Sequence, residues 1–362
     1  MKLIKKAEDG PAREEDLTGA LDPRLMSLSL ADNRGMEADQ LDVTLSDADG
    51  KLDIPIRGVK LHLFLGWDDS GLVDKGIYTV DEIEYSGTPD QLTLRARSAD
   101  LREGLATKKE RSWHATTAGS IVKKIARENG LEPAVSGELE KEPVAHLDQQ
   151  NESDANLLTR LSEMFDAVAA VKSGHLLFFR IGRGKSLSGK DFPVVRITRA
   201  EGDRHRFSVA DREGCESVSA AYYDRATGKK QKVILRMEDL DIADRRTHLK
   251  KIPPRLAVSA RDTRALRHTY ASRLNALRAC RGELRKAKRG IATFAITLAR
   301  GRPDIVPEYP VTVSGWKPAI DEADWLIRRV AHHLSGSGLT TELELELRPG
   351  EPNENDLKKD KK

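Results

Sequence analysis

Five groups of residues in this chain have the types that chemistry uses. Gly184-Lys-Ser-Leu-Ser-Gly189-Lys190 has the glycine and lysine spacing of a phosphate-binding loop. That chemistry also needs a Ser or Thr next in line for magnesium and a helix N-terminus for phosphate. Position 191 is Asp, and Phe192-Pro-Val-Val195 has a strand pattern, so the segment reads as a turn. His332 and His333 are adjacent, and neighbours on a strand point to opposite faces, which gives one packed and one exposed histidine rather than a shared metal. Glu342, Glu344 and Glu346 alternate with Leu343, Leu345 and Leu347, the pattern of a half-buried strand. General acid–base pairs need unlike environments, and this row offers three alike. Cys280 falls among arginines that could lower its pKa, but no base accompanies it, and a packed thiol is expected. There is no Gly-x-Ser-x-Gly elbow and no His-Glu-x-x-His. No catalytic residue, cofactor or metal ligand is expected.

The fifth group is basic. Residues 244–289 hold 15 Lys and Arg against 3 Asp and Glu, a balance of +12. Residues 1–105 hold 13 against 22, a balance of −9. Arg255, Arg261, Arg264, Arg267, Arg273, Arg278, Arg281 and Arg285 could neutralise phosphates, which makes nucleic-acid binding the rival reading. Its one aromatic, Tyr270, falls on the apolar stripe, leaving little for stacking or base readout. The polarity also suits docking between oppositely charged surfaces, with Arg264, Arg267, Arg278, Arg281 and Arg285 as candidate assembly residues. A solvated helix face is the plain alternative.

These residues must be placed by the elements around them. Leu25–Leu30, Gln40–Ser46, Val59–Trp67, Ile77–Tyr85 and Gln91–Arg97 alternate apolar and polar positions between Asp/Asn/Gly turns, the signature of a barrel or sandwich. Ala118, Ile121, Val122, Ile125 and Ala126 then follow helical spacing, capped by Thr116 or Thr117 and closed by Gly130. A second helix opens at Ser153 or Asp154 with Leu157, Leu158, Leu161, Met164 and Phe165 on one face. Strands at Ala167–Val171 and Leu176–Ile181 complete an α+β unit. Strands return at Arg206–Ala210, Cys215–Tyr223 and Lys232–Arg236. A long basic helix follows, with Leu266, Tyr270, Leu274, Leu277 and Leu284 as its stripe. Strands at Ile291–Ala299, Val311–Trp316, Leu326–Leu334 and Thr340–Leu347 close the chain.

The 362 residues are 38% hydrophobic and 33% charged, with 5% aromatics, so the cores are built from Leu, Ile, Val and Ala. No run approaches the roughly 18–20 apolar residues of a membrane span, and the start has no apolar region of a secretory signal. Two cysteines make neither a disulfide framework nor a zinc site. A protein folded in a reducing cytoplasm is expected.

The last strands repeat the first. Gly66-Trp67 and Gly315-Trp316 lie 249 residues apart, as do Ser86-Gly87 and Ser335-Gly336. Two similar barrels are expected, and three copies of such a chain would give a ring of six.

Leu28–Gly50, Gly71–Glu82, Arg97–Leu101, Asp148–Asp154, Gly301–Asp304, Trp325–Leu334 and Gly338–Glu346 carry a family resemblance. The chain resembles the late control protein D family of P2-like phages. Those hubs are related to the T-even phage hub, the amino-terminal part of VgrG proteins and R-type pyocin hubs. The resemblance implies a non-enzymatic, homotrimeric baseplate hub of a contractile tail or tailocin, joining the tail tube to the central spike, without cofactor. It implies contact with tape measure and baseplate wedge proteins, and assembly in the bacterial host cytoplasm. The implied fold is mixed and mainly β: two similar antiparallel barrels with an α+β domain between them. The expected limits are 1–103 for the first barrel, 104–200 for the α+β domain and 201–350 for the second barrel. A basic helical insertion falls at about 240–290, and 351–362 form a disordered tail. A late-gene regulator binding nucleic acid through 244–289 is the alternative.

Overall fold

The computed structural model describes residues 1–6, 14–98, 103–184, 190–210, 215–224, 227–244 and 263–348. Most of the phosphate-loop-like segment, Arg255, Arg261 and the 351–362 tail lie outside these residues.

The first half is built from β1 (Lys2–Lys6), β2 (Glu15–Asp16), β3 (Leu25–Asn33), β4 (Gln40–Ser46), β5 (Lys60–Trp67), β6 (Gly71–Ser86) and β7 (Gln91–Ser98). They pair antiparallel in the order β3-β4-β7-β6-β5-β1-β2. Period-two alternation sends Leu41, Val43 and Leu45 of β4, Leu61, Leu63 and Leu65 of β5, and Leu92, Leu94 and Ala96 of β7 to one side. There they share a core with Leu3, Leu28 and Leu30. Strands from both ends of the order feed this one cluster, so the sheet curls on itself as a barrel. Each fully buried Leu stabilises that closure by about 1.5–3 kcal/mol.

The α+β unit follows: β8 (Lys108–Thr117), α1 (Ala118–Glu128), β9 (Glu132–Val135), β10 (Pro143–Ser153), α2 (Asp154–Phe165), β11 (Ala167–Lys172) and β12 (His175–Arg180). Thr117 and Ser153 cap the helices, their side chains accepting from the amides of Ser120 and Asn156. The apolar faces expected of both helices meet in one core with Phe178 and Leu176.

Next come β13 (Val195–Thr198) and β14 (Gly202–Val209), then β15 (Ser217–Asp224), β16 (Lys229–Arg236), α3 (Met237–Asp244), β17 (Thr263–Tyr270) and α4 (Arg273–Gly290). Two expectations change here. The long helix starts at Arg273, where the Ser272 side chain accepts from the Asn275 amide; Leu266 and Tyr270 belong to a strand that pairs parallel with β15. And β15 and β16 form a separate three-stranded sheet with β17, not part of the barrel.

The second barrel takes β13, β14, β18 (Ala292–Leu298), β19 (Pro310–Ser314), β20 (Trp325–Ser335) and β21 (Gly338–Leu347). The order is β14-β18-β21-β20-β19-β13, antiparallel except for the parallel β13–β19 pair. Trp325, Phe294 and Ile296 fill its core. The order matches β3-β4-β7-β6-β5-β1 strand for strand, and bulges fall at matching rungs. Met26 in β3 and Asp203 in β14 are extra residues in their ladders, as are Asp81 in β6 and Arg328 in β20. Trp67 ends β5, and Trp316 lies just past β19. The spacing is not a constant 249, because residues 87–90 turn the first hairpin and only 336–337 turn the second. The halves are joined by backbone: Arg329–Ser335 of β20 pairs antiparallel with Ser27–Asn33 of β3.

Helix α4 lies between two cores, giving Ala279 to the α+β core and Ala276, Cys280 and Leu284 to the small sheet. It comes so near α2 that a Cβ on Gly282 would sit 2.3 Å from the Glu163 carbonyl oxygen. Gly282→Ala therefore lowers the thermal midpoint, although alanine is favoured over glycine by about 1 kcal/mol in an exposed helix. A midpoint at or above the parent's, read by calorimetry, contradicts this packing.

Candidate assembly surface

The charged residues divide into those that hold the subunit together and those left outside. Arg278, Arg285 and Arg289 lie on one stripe of α4, and all are buried. Arg278 pairs with Glu142 and donates to the Pro143 carbonyl at 2.7 Å. Arg289 donates to Asp166 at 2.7 Å, and Arg285 lies 3.8 Å from the same carboxylate. Arg289 also meets Glu346 at 3.2 Å; Glu346 pairs with Arg34, and Arg34 lies 2.5 Å from Glu308. The chain Asp166–Arg289–Glu346–Arg34–Glu308 thus links the α+β unit, α4 and both barrels. Glu308 adopts a left-handed backbone, φ 74°, and accepts from the Gly182 amide at 2.8 Å. Burial pushes its carboxyl above the usual range despite Arg34.

Two of the five candidate assembly residues are therefore interior. Arg278 and Arg285, read from sequence as candidate assembly residues, are desolvated inside the subunit, where a reversed charge would face Glu142 or Asp166. Arg281 is half-buried. Arg264, which pairs with Glu283 at 2.5 Å, and Arg267 stand on the exposed strand β17. Burial of Arg278, Arg285, Lys288 and Arg289 also takes these cations away from any phosphate backbone, which weakens the nucleic-acid reading.

The barrels also interlock through side chains. The Trp67 indole donates to the Gly301 carbonyl at 2.8 Å, Arg300 covers the same ring and bonds Asp69, and Lys75 donates to the Pro303 carbonyl at 3.1 Å. Lys172 of β11 reaches Asp32 at 2.9 Å and Asp39, tying the α+β unit to the first barrel.

The architecture of two matched barrels around a smaller unit has known counterparts. A family model described as phage tail baseplate hub (GPD) matches residues 37–338. A probable baseplate hub protein of Escherichia phage 186 is 46% identical over 353 residues, covering 92% of this chain and 91% of its own length. Its counterpart from Escherichia phage P2 is also 46% identical, over 351 residues. The chain belongs to the phage tail baseplate hub family. Among solved structures, a 43 kDa tail protein of prophage MuSo2 from Shewanella oneidensis superposes with a TM-score of 0.67 at 13% identity, covering 95% of this chain and 98% of that one. The c3393 protein of E. coli, a type VI secretion component, gives 0.54 at 12% identity, covering 98% and 79%. These two share the fold.

In this hub chain the other singled-out residues are packing groups. The Cys280 thiol is pushed up to about 11 by burial in the α4 core. His332 points into the barrel with Nδ1 2.9 Å from the Thr341 hydroxyl, whereas His333 faces out, 3.9 Å from Glu342. The three glutamates of β21 are not alike: Glu342 and Glu344 are half-exposed and face His333 and Arg329 across the strand pair, while Glu346 is buried between Arg34 and Arg289. Sequence reasoning missed Glu346, Asp166, Glu142 and Arg34 as the internal network. In sequence the Glu–Leu alternation of β21 runs unbroken through Leu347, so nothing local sets Glu346 apart from Glu342 and Glu344.

Asp166→Asn keeps the shape but removes the carboxylate that Arg285 and Arg289 share, which costs up to about 3–5 kcal/mol; the denaturant midpoint should fall while the unfolding slope holds. A second expectation concerns acid. Burial, reinforced by the charge of Lys75, lowers the His332 pKa to about 3, whereas the unfolded imidazole titrates near its ordinary ~6.5. Between these values the unfolded chain binds the extra proton, so stability falls as pH drops below about 6.5. His332→Gln should remove up to about 2 kcal/mol of the loss between pH 7 and 5, measured by denaturant titration at each pH.

Proposed function

We propose that this chain is a structural subunit of the hub of a contractile tail, three copies of which close into a ring joining the tail tube to the central spike. Family membership supplies the place; the observation that carries the ring is the internal duplication, two barrels of matching strand order fused by the β3–β20 ladder. Three such chains present six similar barrels, a surface that can meet a sixfold tube on one side while the extra units offer threefold symmetry to a spike on the other. The reading assigns no catalysis: the buried arginines and carboxylates around α4 pair with one another within the subunit. Tape measure and wedge proteins complete the set of partners, and assembly takes place in the host cytoplasm.

Reconstruction of the intact tail should show three hub chains around the axis, between the last tube ring and the spike. Six copies or one would overturn the ring. Purified hub protein should leave cell walls intact in a lysis assay.

A further inference from the structure

The histidines that meet in this fold are not the adjacent ones. β8 and β10 form a two-stranded antiparallel ribbon, and among the described residues neither strand pairs with another. Its register sets His114 opposite His146 and, two residues along on the same face, Ser112 opposite Asp148. The two imidazole rings lie 4.6 Å apart, centroid to centroid, with Nδ1 2.9 Å from Nδ1. On its far side His146 Nε2 lies 2.8 Å from Asp148 Oδ2, and the Ser112 hydroxyl donates to the other carboxylate oxygen at 2.5 Å. The Ser112 bond, and after it His146, hold the Asp148 carboxyl below its usual range, so Asp148 is an ionised group that only accepts. The proton of the neutral His146 ring therefore sits on Nε2, and its Nδ1 is a bare lone pair beside His114.

A carboxylate behind one ring nitrogen, with the other nitrogen bare, is how proteins orient metal-binding histidines. The spacing of the rings selects the metal. Two nitrogens about 2.0–2.1 Å from one ion stand about 2.9 Å apart when they subtend about 90° at it, and about 3.3–3.4 Å apart when the angle is tetrahedral. The right angle belongs to square-planar or octahedral Cu²⁺ and Ni²⁺, the wider one to Zn²⁺. We propose that His114 Nδ1 and His146 Nδ1 clamp one Cu²⁺ or Ni²⁺ ion across the β8–β10 ribbon, with Asp148 as the residue that positions His146. Among the described residues no third His, Cys, Asp or Glu joins the pair, so water takes the remaining positions. His146 and Asp148 line a cleft of about 700 Å³ with α2 and β17, which admits both ion and water. Arg160 donates to the Asp148 carbonyl at 2.7 Å, but its charge is met by Glu152, also at 2.7 Å. The ion acts as a staple. A lone two-stranded ribbon is marginal in water, and this one runs into both helices of the α+β unit, through the Thr117 cap into α1 and the Ser153 cap into α2. An ion bound only by the folded chain stabilises it by mass action.

The test uses the untagged full-length chain, stripped with a chelator and titrated calorimetrically with Ni²⁺ and with Zn²⁺ at neutral pH. One ion per chain should bind, Ni²⁺ more tightly than Zn²⁺, and the thermal midpoint should climb with Ni²⁺ concentration. His114→Gln and His146→Gln should each abolish the saturable phase while the metal-free midpoint stays near the parent's, and His333→Gln should leave binding intact. Asp148→Ala keeps both ligands but removes the group behind one of them, and should weaken binding by about 10–100-fold. Binding that survives both histidine variants, or no saturable binding by the parent, overturns the site. Zn²⁺ held more tightly than Ni²⁺ overturns the right-angled clamp. Electron paramagnetic resonance of the Cu²⁺-loaded parent needs no variant to fold: nitrogen couplings from two imidazoles support the clamp, and couplings from one or none overturn it.

Discussion

Seven residues of backbone pairing between β20 and β3 hold the two halves of this chain in one sheet. The partners lie about three hundred residues apart in sequence, so the ladder closes a very long loop, and such closure must be reached before its contacts give any return. Everything between the partners is arranged around that seam. The Trp67 lock stiffens it on one side, and Lys172 fastens the α+β unit beside it through Asp32 and Asp39, at the end of β3 and the start of β4. Without the ladder the barrels would be two separate domains on a tether; with it they are one surface.

The buried charges answer a second constraint. A helix set between two cores has little solvent-facing side left for its cations. Helix α4 keeps Arg278, Arg285 and Arg289 by giving each a carboxylate from an element far upstream, Glu142 or Asp166. Buried ion pairs are poor sources of net stability, because desolvation offsets most of the attraction. Their effect is to specify place. Asp166, Glu346 and Glu308 accept α4 and Arg34 in one arrangement, and a slipped packing would leave several charges unpaired at once.

Much of the fold was legible in sequence because it rests on local rules. Alternation marked β4, β5, β7 and β21, the Thr117 and Ser153 caps opened α1 and α2, and the Trp67 and Trp316 spacing disclosed the duplication. What stayed hidden depended on distant partners. Thr263–Tyr270 looked helical because Leu266, Tyr270 and Leu274 fit a helical stripe, yet a parallel pairing to β15 and a break at Ser272 made it a strand. The arginines of α4 looked solvated because nothing nearby in sequence names Glu142 or Asp166. The division of the glutamate row was invisible for the same reason: Glu346 differs from Glu342 only in what two remote arginines do to it.

The matched bulges have a geometric consequence. An extra residue on one strand bends it and tightens the local right-handed twist. Asp81 and Arg328 apply that bend to the middle strand of a three-strand meander in each half, and Met26 and Asp203 apply it to β3 at the joint and to its counterpart β14. Both halves therefore coil with the same pitch, like two staves planed to one template. Curvature in this chain is written into the count of residues per rung, and a deletion at only one of the four positions would leave the staves unequal.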